Sequence, residues 1–316
     1  LRTNSVLPII SSLTIYPANF YLRTIEGRSM KRDIRALYLT NLICHIACDW
    51  IFAVFVRHYS FGPYGVYYCE GWMSTAGLSK PLIMVGYSCQ GTMAVGIIMV
   101  VSSFFCLMIR LHQVTVTNVT SRWKLSNAVQ FIIYAMITGI CVLNVAGCII
   151  FSTDVDNYAE LIKDPELAWM VERGGTLLLF GEPGKKSRFT TEALFLLASA
   201  CISISSLLFF TAHAMIYLHR NEKLALSTKT QLLTHRLFST FELQLRGAIM
   251  FFITPLIFMI TSSVVDLSHF LPDPVFAALR FLTIMLVGLT PPQFGLVFIL
   301  RNATHRKMLI RRILKI

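Results

Sequence analysis

Residues Pro81 to Ile109 read PLIMVGYSCQGTMAVGIIMVVSSFFCLMI, a run without one charged side chain. A helix rises about 1.5 Å per residue and a bilayer's hydrocarbon core is about 30 Å thick, so this run is long enough to span one. It ends in Arg110-Leu111-His112, a cation where a membrane edge would lie. Tyr87, Ser88, Gln90, Thr92, Ser102 and Ser103 interrupt the apolar side chains. That set is too polar to face lipid all round, so the helix is expected to be the hub of a multi-span bundle. Ser102 and Ser103 are expected to serve helix packing, and Tyr87 and Gln90 a chamber nearer the other end.

Composition extends the argument to the whole chain. Of 316 residues, 55% are hydrophobic and 14% are charged, against about 25% charged in soluble domains. Too little polar surface remains to coat a globule, which makes an all-α integral membrane bundle the expected class. Seven apolar segments are predicted, over residues 6–22, 36–56, 81–109, 128–151, 193–218, 248–265 and 275–300. The first carries Pro8 and Pro17, and the chain opens on Leu1, so residues are expected to be missing upstream.

The net charge of +12 would suit nucleic acid if it were spread evenly. It is not. Roughly two thirds of the 28 Lys and Arg residues lie after the first, third and fifth segments and in the tail. The largest connection on the other side, 152–191, is rich in acid, with Asp154, Asp156, Glu160 and Asp164 among others. The positive-inside rule then places the C-terminus in the cytoplasm and the N-terminus outside, with no nucleic-acid partner required. The sequons at Asn118 and Asn302 fall on the cytoplasmic side and are expected to stay unmodified. Residues 303–316 are predicted to form an amphipathic helix on the anionic inner leaflet.

Ionisable groups inside spans are costly and mark candidate sites. His45 and Asp49 are four apart on the second segment, and Arg280 sits inside the seventh. Asp49 and Arg280 lie at similar depth from the same side, so an ion pair between the second and seventh helices is predicted. Pro255, Pro291 and Pro292 remove backbone donors and are expected to kink the sixth and seventh helices. The segment KLALSTKTQLLTHRLFSTFELQLRGA repeats leucine and phenylalanine at helical spacing, predicting an extension of the sixth helix into the cytoplasm. Glycines at 174, 175, 181 and 184 flank TLLLF, and these turns are expected to bound a hairpin.

Signatures of catalysis are missing: there is no HExxH, GxSxG or P-loop. The eight cysteines lack CxxC spacing and mostly sit in apolar runs, so no metal, cofactor or disulfide framework is expected.

Particular residues resemble the nematode serpentine chemoreceptors, in the related Sri and Srh groups of the Str superfamily. They are Ser29-Met30 before a basic stretch, Cys48-Asp49, and Phe104-Phe105-Cys106 leading to Arg110-Leu111-His112-Gln113. Thr228-Lys229-Thr230-Gln231-Leu232, Gln244 and Pro255 complete the set. The resemblance implies a rhodopsin-like seven-helix fold, a small chemical ligand outside and a heterotrimeric G protein inside. It further implies a plasma-membrane receptor, in sensory cilia where the family resemblance extends to cell type. On that reading Asp49, Tyr87, Gln90 and Arg280 line the ligand chamber, and Arg110, His112, Lys229 and Arg236 face the G protein. Departures are visible as well. Ile109, not an acid, precedes Arg110; Arg301-Asn302-Ala303 replaces the family's usual PYR-like ending; and 152–191 holds no Cys. A ligand-gated channel of the insect odorant receptor type and a small-molecule transporter are the alternatives from other classes.

Overall fold

The computed structural model describes residues 3–26, 32–61, 66–76, 82–117, 123–151, 176–179, 187–220, 228–265, 267, 270–301 and 306–307. Helix α1 (Thr3–Leu13) breaks at Thr14 and resumes as α2 (Ile15–Glu26). Pro17 falls in the first turn of α2, where a missing N–H costs least. The second helix, α3 (Arg32–Trp50), runs on into a π-helical turn over Ile51–Val56. After β1 (His58–Phe61), β2 (Val66–Cys69) and the short α4 (Trp72–Ala76) comes the long α5 (Leu82–Thr117). Next are α6 (Asn127–Phe151), β3 (Thr176–Leu179) and α7 (Ser187–Arg220). Helix α8 (Thr228–Ala248) passes through a second π turn, Ile249–Ile253, into α9 (Thr254–Val264), and α10 (Asp273–Arg301) closes the bundle.

Five stretches among the described residues are long and apolar enough to cross a membrane: Arg32–Val56, Val95–Val116, Leu197–Tyr217, Phe238–Ser262 and Pro274–Arg301. Asn127–Leu143 is a shorter apolar helix. Only helices satisfy every backbone group within one apolar segment, which is why such runs fold this way. The hub position is borne out: α5 packs on α3, α6, α7 and α8. Ser102 Oγ accepts from Thr138 Oγ1 of α6 at 3.3 Å, and Ser103 Oγ from Asn41 Nδ2 of α3 at 3.1 Å. These two serines join α5 to α6 and to α3.

The glycines expected to bound a hairpin around TLLLF lie outside the described residues. Thr176–Leu179 is a strand of a sheet ordered β1-β2-β3, paired antiparallel to β2 with Tyr68 opposite Leu177. The hairpin belongs to β1 and β2, with Tyr59 opposite Tyr68. The sheet caps the end of the bundle where α3 finishes and α5 begins; the Arg110 end lies opposite. The extension before the sixth apolar segment is helical, as α8. Of the 303–316 tail only Arg306 and Lys307 are described, both helical and exposed. Asn118 and Asn302 lie outside the described residues.

Nearer the Arg110 end, α3, α5, α7, α8 and α10 converge on one apolar core. Phe104 of α5 stacks on Phe241 of α8 at 4.6 Å and meets Phe294 of α10 edge-on at 5.5 Å. Leu107, Met108 and Ile109 are fully buried. Gly295 is a close-approach point between α10 and α2. A Cβ there would lie 2.6 Å from Ile15 Cγ2 and 2.7 Å from Asn19 Nδ2.

Candidate functional site

The buried polar residues form a column between the two ends of the bundle. At its head, Tyr16 of α2 donates its hydroxyl to Asp49 Oδ2 at 2.5 Å, with both residues buried. Trp50 Nε1 donates to Ser12 Oγ at 3.0 Å beside it, fastening the first helical segment to the second. The predicted Asp49–Arg280 ion pair is not formed. Arg280 instead places its guanidinium carbon 3.9 Å from the centre of the Phe276 ring, one helical turn earlier on α10. The phenol of Tyr16 on the neighbouring α2 occupies the carboxylate instead.

One turn along α3, His45 Nδ1 lies 2.7 Å from the Asn41 carbonyl oxygen. A carbonyl only accepts, so Nδ1 carries the proton and Nε2 is a bare acceptor. Nε2 is buried with no hydrogen-bond partner among the described residues. The imidazole packs 4.2 Å from Phe294, which connects the polar column to the aromatic core. Gln244 Nε2 of α8 donates to the Phe294 carbonyl at 3.0 Å and ties α8 into the same junction.

A second buried network binds α2, α3 and α10 nearer the Arg110 end. Asn19 Nδ2 donates to the Gly295 carbonyl at 2.7 Å, and Arg23 Nε donates to Asn19 Oδ1 at 3.3 Å. Arg23 also donates to the Tyr38 carbonyl, and its guanidinium lies 4.6 Å from the Phe298 ring and 5.3 Å from that of Tyr38. Carbonyl oxygens and aromatic faces thus surround a cation that is only 4% exposed.

Arg110 finds its acid on another helix. Its Nε donates to Asp33 Oδ2 of α3 at 2.7 Å, and its Nη2 reaches the same oxygen. The pair remains 30% and 42% exposed, so it sits at the rim of the bundle and not in its core. The missing acidic neighbour before Arg110 is replaced in space by a residue 77 positions earlier. The only sequence signal was an aspartate within a basic connection.

His112, expected to face the cytoplasmic partner, is buried inside the bundle. It is 1% exposed, and its Nε2 lies 2.9 Å from His213 Nδ1 of α7. Phe210 closes over the ring at 5.2 Å. Beside it, Gln113 accepts from the Leu125 amide at 2.8 Å and donates to the Trp123 carbonyl at 3.2 Å, pinning the α5–α6 connection. His112 therefore couples α5 to α7.

Tyr87 and Gln90 lie on α5 and Lys229 and Arg236 on α8, with their side chains outside the described residues. Pro255 occupies the first turn of α9, directly after the π turn. Its ring would clash with the carbonyl four residues back in a regular helix. The π turn relieves this by shifting the bonding one residue further, so that the Thr254 amide bonds the Ile249 carbonyl. Pro291 and Pro292 lie inside α10, which continues through them.

Comparison with curated proteins found no match. Residues 28–311, most of the chain, match the family model described as serpentine type 7TM GPCR chemoreceptor Srh. The protein therefore belongs to the Srh family of serpentine seven-transmembrane G-protein-coupled chemoreceptors.

Proposed function

We propose that the protein is a plasma-membrane receptor that binds a small odorant-like molecule at the sheet end and activates a heterotrimeric G protein at the Arg110 end. The N-terminus is outside and the C-terminus cytoplasmic, in keeping with the crowding of Lys and Arg on one side. Sensory cilia are the proposed site of action. The ligand contacts Tyr87, Gln90 and Arg280, with Asp49 beneath them registering the displacement through Tyr16.

The observation that carries this reading is the chain of contacts between the two ends. It runs from the Tyr16–Asp49 bond along one turn of α3 to His45, whose ring packs on Phe294, then to Phe104 of α5, six residues before Arg110. A ligand that favours one arrangement of these helices would shift the balance between a closed and an open Asp33–Arg110 bridge. Opening the bridge presents Arg110, together with Lys229 and Arg236 of α8, to the partner.

Expression with a calcium or cAMP reporter, screened against volatile and water-soluble chemicals, is the direct test. A response that requires a G protein supports the proposal. Ligand-evoked current in cells lacking G proteins would overturn it in favour of a channel, and accumulation of labelled ligand in favour of a transporter.

A further inference from the structure

A groove of about 540 Å³ opens on the outside of the bundle, where α8 and its π turn face α10 and α2. Leu243, Phe251, Leu289, Leu296 and Leu300 contribute to its walls, and only Gln293 and Arg301 among its lining residues are polar. Gln293 lies in the seam between the helices: a Cβ on Gly247 of α8 would fall 1.9 Å from its Nε2. Leu243, Leu296 and Leu300 are 40%, 41% and 56% exposed, so the groove faces the hydrocarbon and not the bundle interior.

From Leu289 to Arg301 the helix climbs about 18 Å. One leaflet's share of the hydrocarbon core is about 15 Å. The groove thus matches one leaflet in height, with a guanidinium at its mouth. Arg301 Nη2 donates to Ser239 Oγ of α8 at 2.6 Å. A guanidinium has five N–H donors, and this single bond leaves capacity for a phosphate. Arg306 and Lys307, a few residues further along the chain, are also exposed, while Arg246, seven residues beyond Ser239 on α8, is paired with Glu242, which accepts from it at 2.6 Å.

We propose that this groove is a binding site for one anionic phospholipid, with an acyl chain along α10 and the headgroup phosphate on Arg301. This rests on the proposed orientation, which puts Arg301 in the leaflet where anionic lipids concentrate. The charge complementarity is local: apolar walls suit any acyl chain, and the guanidinium at the mouth selects the headgroup.

The test is native mass spectrometry of the purified full chain in detergent. Phosphatidylglycerol and phosphatidylcholine with identical acyl chains are offered in equal amounts. The anionic lipid should be retained about fivefold more often, the effect of one arginine near an anionic surface. Arg301→Gln should bring the ratio close to one, Arg306→Gln should leave it nearly unchanged, and Leu296→Trp should reduce retention of both lipids. Inorganic phosphate at millimolar concentration should not displace the lipid. Equal retention by the unmodified protein, equal effects of the two arginine changes, or displacement by free phosphate would each overturn the proposal. Should Arg301→Gln fail to fold, undiminished retention by Leu296→Trp overturns it independently. Because detergent has no sidedness, this outcome separates from a failure of the orientation, which epitope accessibility reads.

Discussion

The Asp33–Arg110 bridge is informative because it is weak. A partly exposed ion pair contributes at most about 1 kcal/mol, which is close to a fivefold change in a two-state equilibrium. Asp33→Asn should therefore raise ligand-independent signalling by up to about fivefold, measured in the reporter assay at matched surface expression. A lowered or unchanged baseline would remove the bridge from the switching role. The buried carboxylate behaves differently. Tyr16→Phe strips Asp49 of its donor and should cost about 1–3 kcal/mol, read as a lower thermal unfolding midpoint of the purified protein. His45→Phe keeps the ring against Phe294 and removes both the bare Nε2 acceptor and the Nδ1 bond to the Asn41 carbonyl, so its midpoint should fall by less than that of Tyr16→Phe. If His45→Phe destabilises as much as Tyr16→Phe, the imidazole's polar atoms are essential to the fold.

Among the elements, the two π turns mark where helices are forced out of regular geometry. The turn at 249–253 accommodates Pro255, and the turn at 51–56 ends at Arg57, whose φ of 41° is a left-handed conformation. Only the first has a proline to explain it. Pro255→Ala restores a backbone donor, so the helix should revert towards regular α geometry. The expected outcome is a higher thermal midpoint with a smaller ligand-evoked response. A higher midpoint with an undiminished response would make the π turn a packing feature alone. Gly295→Ala should cost about 1–3 kcal/mol by overpacking, since the new methyl would overlap Ile15 and Asn19. The groove between α8 and α10 belongs to this scale too, because Leu243 of α8 and Phe251 of the π turn form one of its walls.

For the whole molecule the decisive quantity is sidedness. An epitope tag at the N-terminus should bind antibody on intact cells, and one at the C-terminus only after permeabilisation. The reverse pattern, or glycan on Asn118 or Asn302, would invert the bundle and move the ligand chamber to the cytoplasm. The membrane class was legible from uncharged runs, the receptor family only from the resemblance of particular residues, and residues 28–311 match the Srh family model.

Much of the architecture follows from the sequence by itself. A long run without charges must satisfy its backbone internally once in lipid, and a helix does this without help from any other segment. The helical runs, the central place of α5 and the packing role of Ser102 and Ser103 could therefore be read from residues alone. Partners could not. Counting residues from a boundary gives the height of Asp49 and Arg280 but says nothing of the direction each faces around its helix. Which side chains meet depends on that rotation and on which helices are neighbours, both set by packing across the bundle. Tyr16 took Asp49, Asp33 took Arg110, His112 turned in to His213, and a strand near residue 176 joined a hairpin near residue 60. Each pairing joins segments far apart in the chain, and only the tertiary structure brings them within reach.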